Sequence, residues 1–309
     1  MRIFVAGATG VIGRGLVALL IEAGHEVTGM TRSPARADRL LELGCEAAVC
    51  DALDGSAVRE AVSSARPDAV IHVLTAIPPD MQPRDYKTAL VPTNRLRHEG
   101  TRNLIAAAQA AGATRFVAES VAFAYEPSGP WVKDEQEPLA VDSPPPMDRV
   151  IGALASLERQ VGDAGGIVLR YGFLYGPGTW FASDGLFARM ARRRMFPVLG
   201  SGEGRWSFIH ADDAATATVA ALERGAAGVY NIVDDEPARA ADWIPAYASA
   251  MGARRPLHLP AWIGRLAAGG TAVRGMTEQR GASNVKAKSE LGWEPRYASW
   301  RDGFRTAGG

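Results

Sequence analysis

The stretch Met1–Gly15, MRIFVAGATGVIGRG, limits what this chain can fold into more than any other part of it. A short apolar run, Ile3–Ala6, leads directly into glycines at positions 7, 10 and 13, and a helical pattern follows over Val11–Ala23. Gly7 permits a tight turn out of a strand. Gly10 lets backbone come close to a pyrophosphate, and Gly13 lets a helix pack on the sheet. Thr9, Gly10, Val11, Ile12 and Gly13 then form a turn whose unpaired N–H groups and helix dipole favour a nucleotide phosphate. A glycine-rich turn is often only a turn; here the strand before and the helix after favour the anion site.

Strand and helix signals alternate along the rest of the chain, as a parallel sheet with crossover helices requires. Strands are expected near Arg2–Ala6, Glu26–Thr31, Ala47–Cys50, Ala69–Leu74, Arg115–Glu119, Ile167–Arg170 and Val229–Ile232. Helical periodicity covers Pro34–Leu43, Asp54–Ala65, Pro92–Ala111 and Arg149–Ala164. This is an α/β pattern: a Rossmann-type, doubly wound parallel sheet. Two stretches break the alternation, Glu126–Pro146 and Gly176–Gly204, and are expected over the carboxyl ends of the strands. The tail from Trp243 reads as a small helical cap.

Composition narrows the class further. With 34 basic and 34 acidic residues, no net field recruits nucleic acid or a membrane surface. No apolar run approaches the length of a membrane span. Cys45 and Cys50 flank a predicted strand and suit buried thiols in a reducing cytoplasm. No His, Cys and carboxylate cluster has metal-ligand spacing.

The residues after the second strand select the cofactor. An acid there would hold the ribose hydroxyls of NAD, but the chain has Arg32 and Ser33, which suit the 2′-phosphate of NADP(H). A solvated arginine at a helix start is the plain alternative. Asp51, followed by Ala52, stands where a carboxylate could accept from the adenine amino group, or could cap the next helix.

These segments, with Glu99-Gly100-Thr101-Arg102-Asn103-Leu104, Leu169–Gly178, Phe208–Ala215 and Lys286–Pro295, resemble the extended short-chain dehydrogenase/reductase family, of the NAD(P)-dependent epimerase/dehydratase kind. The resemblance implies a dinucleotide-binding domain of residues 1–175 and 206–235. A smaller, discontinuous substrate-binding cap would comprise 176–205 and 236–309. It also implies that Leu74, Thr75 and Ala76 pass near the cofactor and that Tyr171 and Phe173 lie beside the nicotinamide.

The family's acid/base pair does not carry over. The positions of its tyrosine and lysine fall on Val150 and Leu154, and none of the 7 tyrosines has a lysine four residues on. The position of its serine falls on Val121, and that of its helix-four asparagine on Arg97. Ser120 and Tyr125 are therefore the candidate hydroxyls for proton transfer, with Glu119 as a candidate base. Trp206 stands where nucleotide-sugar enzymes keep a phosphate-gripping arginine, so Trp206, Trp180 and Phe181 are expected to build an apolar substrate pocket. Packing in the cap core is their alternative. His98 is expected to be solvated on a helix it shares with Arg95 and Arg97.

The expectation is an NADP(H)-dependent oxidoreductase acting on a carbonyl, imine or activated alkene of a small apolar or aromatic metabolite. A cofactor-retaining epimerase, isomerase or dehydratase is one alternative, and a non-catalytic NADP(H)-responsive binding protein is another. A homodimer stays open.

Overall fold

A computed structural model describes residues 1–81 and 85–307. Gly308 and Gly309, the last two residues of the expected cap, lie outside the described residues. Seven strands form the central sheet: β1 Arg2–Ala6, β2 Glu26–Thr31, β3 Glu46–Val49, β4 Ala69–His72, β5 Arg115–Val121, β6 Ile167–Tyr171 and β7 Gly228–Ile232. Their order is β7-β6-β5-β4-β1-β2-β3, every pair parallel. The order reverses between β1 and β4, so a crevice opens there at the carboxyl edge.

Alternation along each strand divides its side chains between two cores. Ile3, Val5, Val117 and Leu169 pack against the helices Val11–Glu22 and Ala211–Arg224. Phe4, Ala6, Phe116, Ala118 and Val168 face the helices Gly55–Ala65, Thr101–Ala110 and Met147–Asp163. With both faces covered, the strands need the near-continuous apolar runs that made them legible.

A third core holds the cap, built from Phe181, Trp206, Phe208, Trp243, Tyr247, Trp300 and Phe304. Two segments cross the expected division. Trp206 and Phe208 pack in the cap core, whereas Ala287, Leu291 and Trp293 return to the core of the sheet. Lys286 fastens that return by donating from Nζ to the Val229 carbonyl of β7 at 2.8 Å.

Two local departures shape the site. β4 ends at His72 rather than Leu74, because the Leu74 N–H bonds to His72 Nδ1 (3.2 Å) and turns the chain away. The helix expected over Pro92–Ala111 is interrupted by a π-helical turn, Leu96–Gly100, which changes the phase of its side chains. No helix among the described residues is long and apolar enough to cross a membrane.

Candidate active site

The crevice is a single cavity of about 1400 Å³ along the carboxyl edge of the sheet. At its centre lies the glycine turn. Gly7 has φ +100°, and a Cβ there would lie 2.5 Å from the Val73 carbonyl oxygen. A Cβ on Gly13 would lie 2.1 Å from the Gly7 carbonyl oxygen. Only glycine lets the Val11–Glu22 helix come this close to the strand. Gly10 caps that helix without a side chain, so the first-turn N–H groups face the cavity wall formed by Thr9–Ile12. Such a cradle fits the pyrophosphate of a dinucleotide.

One arm of the cavity runs to Arg32, Ser33, Asp51 and Ala52. Arg32 is exposed at the end of β2, and the Ser33 N–H is held by Thr31 Oγ1 at 3.2 Å. Asp51 does not cap the following helix. That role belongs to Asp54, whose carboxylate accepts from the Ser56 and Ala57 N–H groups, while Asp51 Oδ1 accepts only from Leu53 N–H within its own turn.

The other arm passes Leu74, Thr75, Tyr171 and Phe173. Ala76 does not line it, and its N–H goes to Thr93 Oγ1 at 3.1 Å. The Tyr171 hydroxyl is turned into the sheet core against Thr218 Oγ1, 2.6 Å away. Phe173 stacks between Phe123, with ring centroids 4.2 Å apart, and Trp206, 4.0 Å apart. The Trp206 indole N–H donates to the Gly275 carbonyl at 2.8 Å, and that of Trp180 to the Pro78 carbonyl at 3.2 Å. Both residues line the cavity. Phe181 is 2% exposed and packed against Phe187, Phe208 and Tyr247, so it serves the cap core more than the pocket.

Val150 and Leu154, at the positions of the family's acid/base pair, line the same arm with Met147 and Ile151. Ser120 and Tyr125 lie beside them, but neither hydroxyl is free. Ser120 is in β5 and donates to Glu158 Oε1 at 2.6 Å. Glu158 also takes a two-pronged contact from Arg170, with Nε to Oε1 at 2.9 Å and Nη2 to Oε2 at 2.6 Å. Arg170 Nη1 donates to the Tyr125 hydroxyl at 2.9 Å, which in turn donates to Asn231 Oδ1 at 2.6 Å. Burial pushes Tyr125 up to about 12, so it holds its proton at neutral pH.

Two charged groups on the cavity wall escaped the sequence reading or were given less weight in it. Arg97 is 5% exposed and sits in the π-helical turn Leu96–Gly100. Glu119 is half-buried, and burial pushes it up to about 7 against the opposing pull of Arg97. The one signal for Arg97 was its place at the family's asparagine position. His98 is exposed, as expected, and His210 accepts from the Asp212 N–H to cap the Ala211–Arg224 helix. No metal-binding group of His, Cys or carboxylates occurs among the described residues.

The sheet and its glycine cradle define a dinucleotide-binding protein of Rossmann type. The NAD dependent epimerase/dehydratase family model matches residues 3–233, and the chain belongs to that family. Over 310 residues it is 48% identical to a 3-diazoavenalumate denitrifying reductase from a Streptomyces species, covering 98% of this chain and 99% of that one. Its fold is similar to that of UDP-glucose 4-epimerase from Thermotoga maritima, solved with UDP-glucose (TM-score 0.78, 22% identity, 100% and 97% of the two chains). It is also similar to a human epimerase family protein solved with NADPH (TM-score 0.74, 22% identity, 100% and 99%).

The Glu158–Arg170 pair is buried, so removing one member leaves a bare charge. Arg170→Met should cost about 3–5 kcal/mol in urea unfolding. The double variant Arg170→Met/Glu158→Leu should recover most of that loss. A single variant as stable as the double would show that the pair carries no such coupling.

Proposed function

We propose that the protein is an NADP(H)-dependent reductase of a small aromatic metabolite, and that its substrate carries an aromatic diazo group that leaves as dinitrogen. The observation that carries this reading is the aliphatic pair Val150 and Leu154 on the cavity wall, beside hydroxyls already committed to a buried network. Carbonyl reduction needs a proton on oxygen, and the Ser120 and Tyr125 hydroxyls are already bonded to other groups. Displacement of dinitrogen needs no such proton. A hydride forms the C–H bond, the C–N electron pair departs with dinitrogen, and no proton is drawn from the protein. The 48% identity to a denitrifying reductase supports that class of substrate.

The bound cofactor supplies the hydride. Gly7, Gly10 and the first turn of the Val11–Glu22 helix would hold its pyrophosphate, and Arg32 with Ser33 would take the 2′-phosphate. Leu74, Thr75 and Phe173 border the nicotinamide end. The Phe123–Phe173–Trp206 stack and Trp180 present flat apolar faces to an aromatic ring and exclude water. Ser120 and Tyr125 act as positioning residues, holding the end of β5 against Glu158 and Arg170.

NADPH should bind more tightly than NADH by about 1–3 kcal/mol, a margin lost in Arg32→Ala. Equal affinities in the wild type would overturn the cofactor assignment. Supplied with an ortho-diazophenol and NADPH carrying deuterium at C4, the protein should consume NADPH and release dinitrogen. It should also place the label on the ring carbon; label arriving from deuterated solvent would defeat direct displacement. Tyr125→Phe should destabilise the fold by about 1–3 kcal/mol through the orphaned Asn231 and Arg170 contacts. Turnover per folded molecule should fall by less than about ten-fold, whereas a loss of about 10²–10⁴ would mark Tyr125 as the proton donor.

A further inference from the structure

Arg97 is nine-tenths buried, lines the cavity, and makes no hydrogen bond or ion pair among the described residues. Its neighbours Arg95 and Glu99 pair with each other on the outer face, at 2.8 Å. The charged or titratable groups that sense Arg97 are His72 and Glu119. His72 is neutral, since burial and the Arg97 charge push it down to about 4; its Nδ1 accepts from Leu74 N–H and its Nε2 meets Thr101 Oγ1 at 3.1 Å. Glu119 feels the guanidinium without bonding to it, and at neutral pH is partly protonated. A guanidinium taken out of water without an anionic acceptor is costly to the fold. Its five N–H donors match an oxyanion.

Resting on the reading of an aromatic substrate, we infer that Arg97 is the anchor for an anionic oxygen of that substrate, a carboxylate or a phenolate, at the nicotinamide end of the cavity. Leu154, Val121 and Leu74 line the same cavity and bring it apolar surface. Ring faces recognise the arene, while Arg97 fixes which edge points at the floor. A partly protonated Glu119 can share the oxyanion rather than repel it.

Calorimetry on the NADP⁺-loaded protein, where no turnover occurs, tests this with two probe pairs: cinnamate against cinnamamide, and 2,4-dinitrophenolate against 1,3-dinitrobenzene. At least one anion should bind about ten-fold or more tighter than its neutral counterpart, as a charge-assisted contact allows. Whichever pair shows the preference identifies carboxylate or phenolate. It should vanish in Arg97→Gln and survive in Glu119→Gln. Arg97→Gln should melt no lower than wild type, because an unpaired buried charge is relieved, and should bind NADP⁺ as wild type does. A preference that is absent in wild type or persists in Arg97→Gln overturns the inference. Loss of NADP⁺ binding in that variant assigns the guanidinium to the cofactor and overturns it as well. A lower melting temperature marks Arg97 as a structural partner of Glu119, with the same consequence. If no aromatic probe of either charge binds, the aromatic-substrate reading itself fails.

Discussion

The Gly7 carbonyl occupies the space that a side chain at position 13 would need, and much of the site follows from that contact. Because the helix can settle onto this oxygen, its open N-terminus sits at the carboxyl edge of β1. The sheet order reverses beside it, between β1 and β4. Crossover helices on either side cannot cover that reversal, so it remains a crevice. A methyl group at position 13 would displace the helix N-terminus and the phosphate cradle together. The same backbone constraint thus fixes the fold and leaves the open helix N-terminus at the carboxyl edge of the sheet.

A second constraint governs the other arm. Ser120, Glu158, Arg170, Tyr125 and Asn231 form a continuous chain of hydrogen bonds beneath the cavity wall. Buried polar groups of this kind hold their geometry because each alternative leaves a charge or hydroxyl unsatisfied. Such a chain has little freedom to pass a proton outward. Val150 and Leu154 add aliphatic surface to the same cavity that Ser120 and Tyr125 line. The hydroxyls of Ser120 and Tyr125 are fixed in that chain, which suits a reaction whose leaving group needs no proton.

Much of this was legible in the chain. Most of the seven strands announced themselves because they are buried on both faces, the edge strand β3 being the exposed one, and the glycine turn because its spacing has few other uses. What the sequence hid depends on phase and on distant contacts. Arg97 sits two residues from Arg95 and beside His98, so regular helical spacing gives no reason to bury it; the π-helical turn does that. Ser120 and Tyr125 were placed correctly along the chain, near the end of β5. Their hydroxyls are spoken for by partners 38 and 106 residues away, which no local pattern reveals. Phe181 lines the cavity and also packs among the rings of the cap core, and aromatics in a loop over the strand ends suit both roles. The return of Ala287, Leu291 and Trp293 to the sheet escaped notice for a similar reason, since an apolar helix does not state which of two cores it joins.

The cavity assigns opposite tasks to its parts. Trp206 is fixed at one edge through its indole N–H to Gly275 and stacked at its face on Phe173, which itself stacks on Phe123. These rings come from the cap and from the loops beyond β5 and β6, so the stack ties the cap to the sheet. Flat apolar surface of this sort rewards area and tolerates many ring systems. It therefore discriminates poorly by itself. Discrimination must come from polar groups that go unsatisfied when the wrong molecule enters. Among the described residues, the Ser120 and Tyr125 hydroxyls of this arm have partners, whereas the buried Arg97 has no hydrogen bond or ion pair. A neutral ring would gain the stacking and leave that guanidinium bare, whereas an anionic ring would gain both, so selectivity in an otherwise permissive aromatic cavity would rest on a buried cation with no hydrogen bond or ion pair among the described residues.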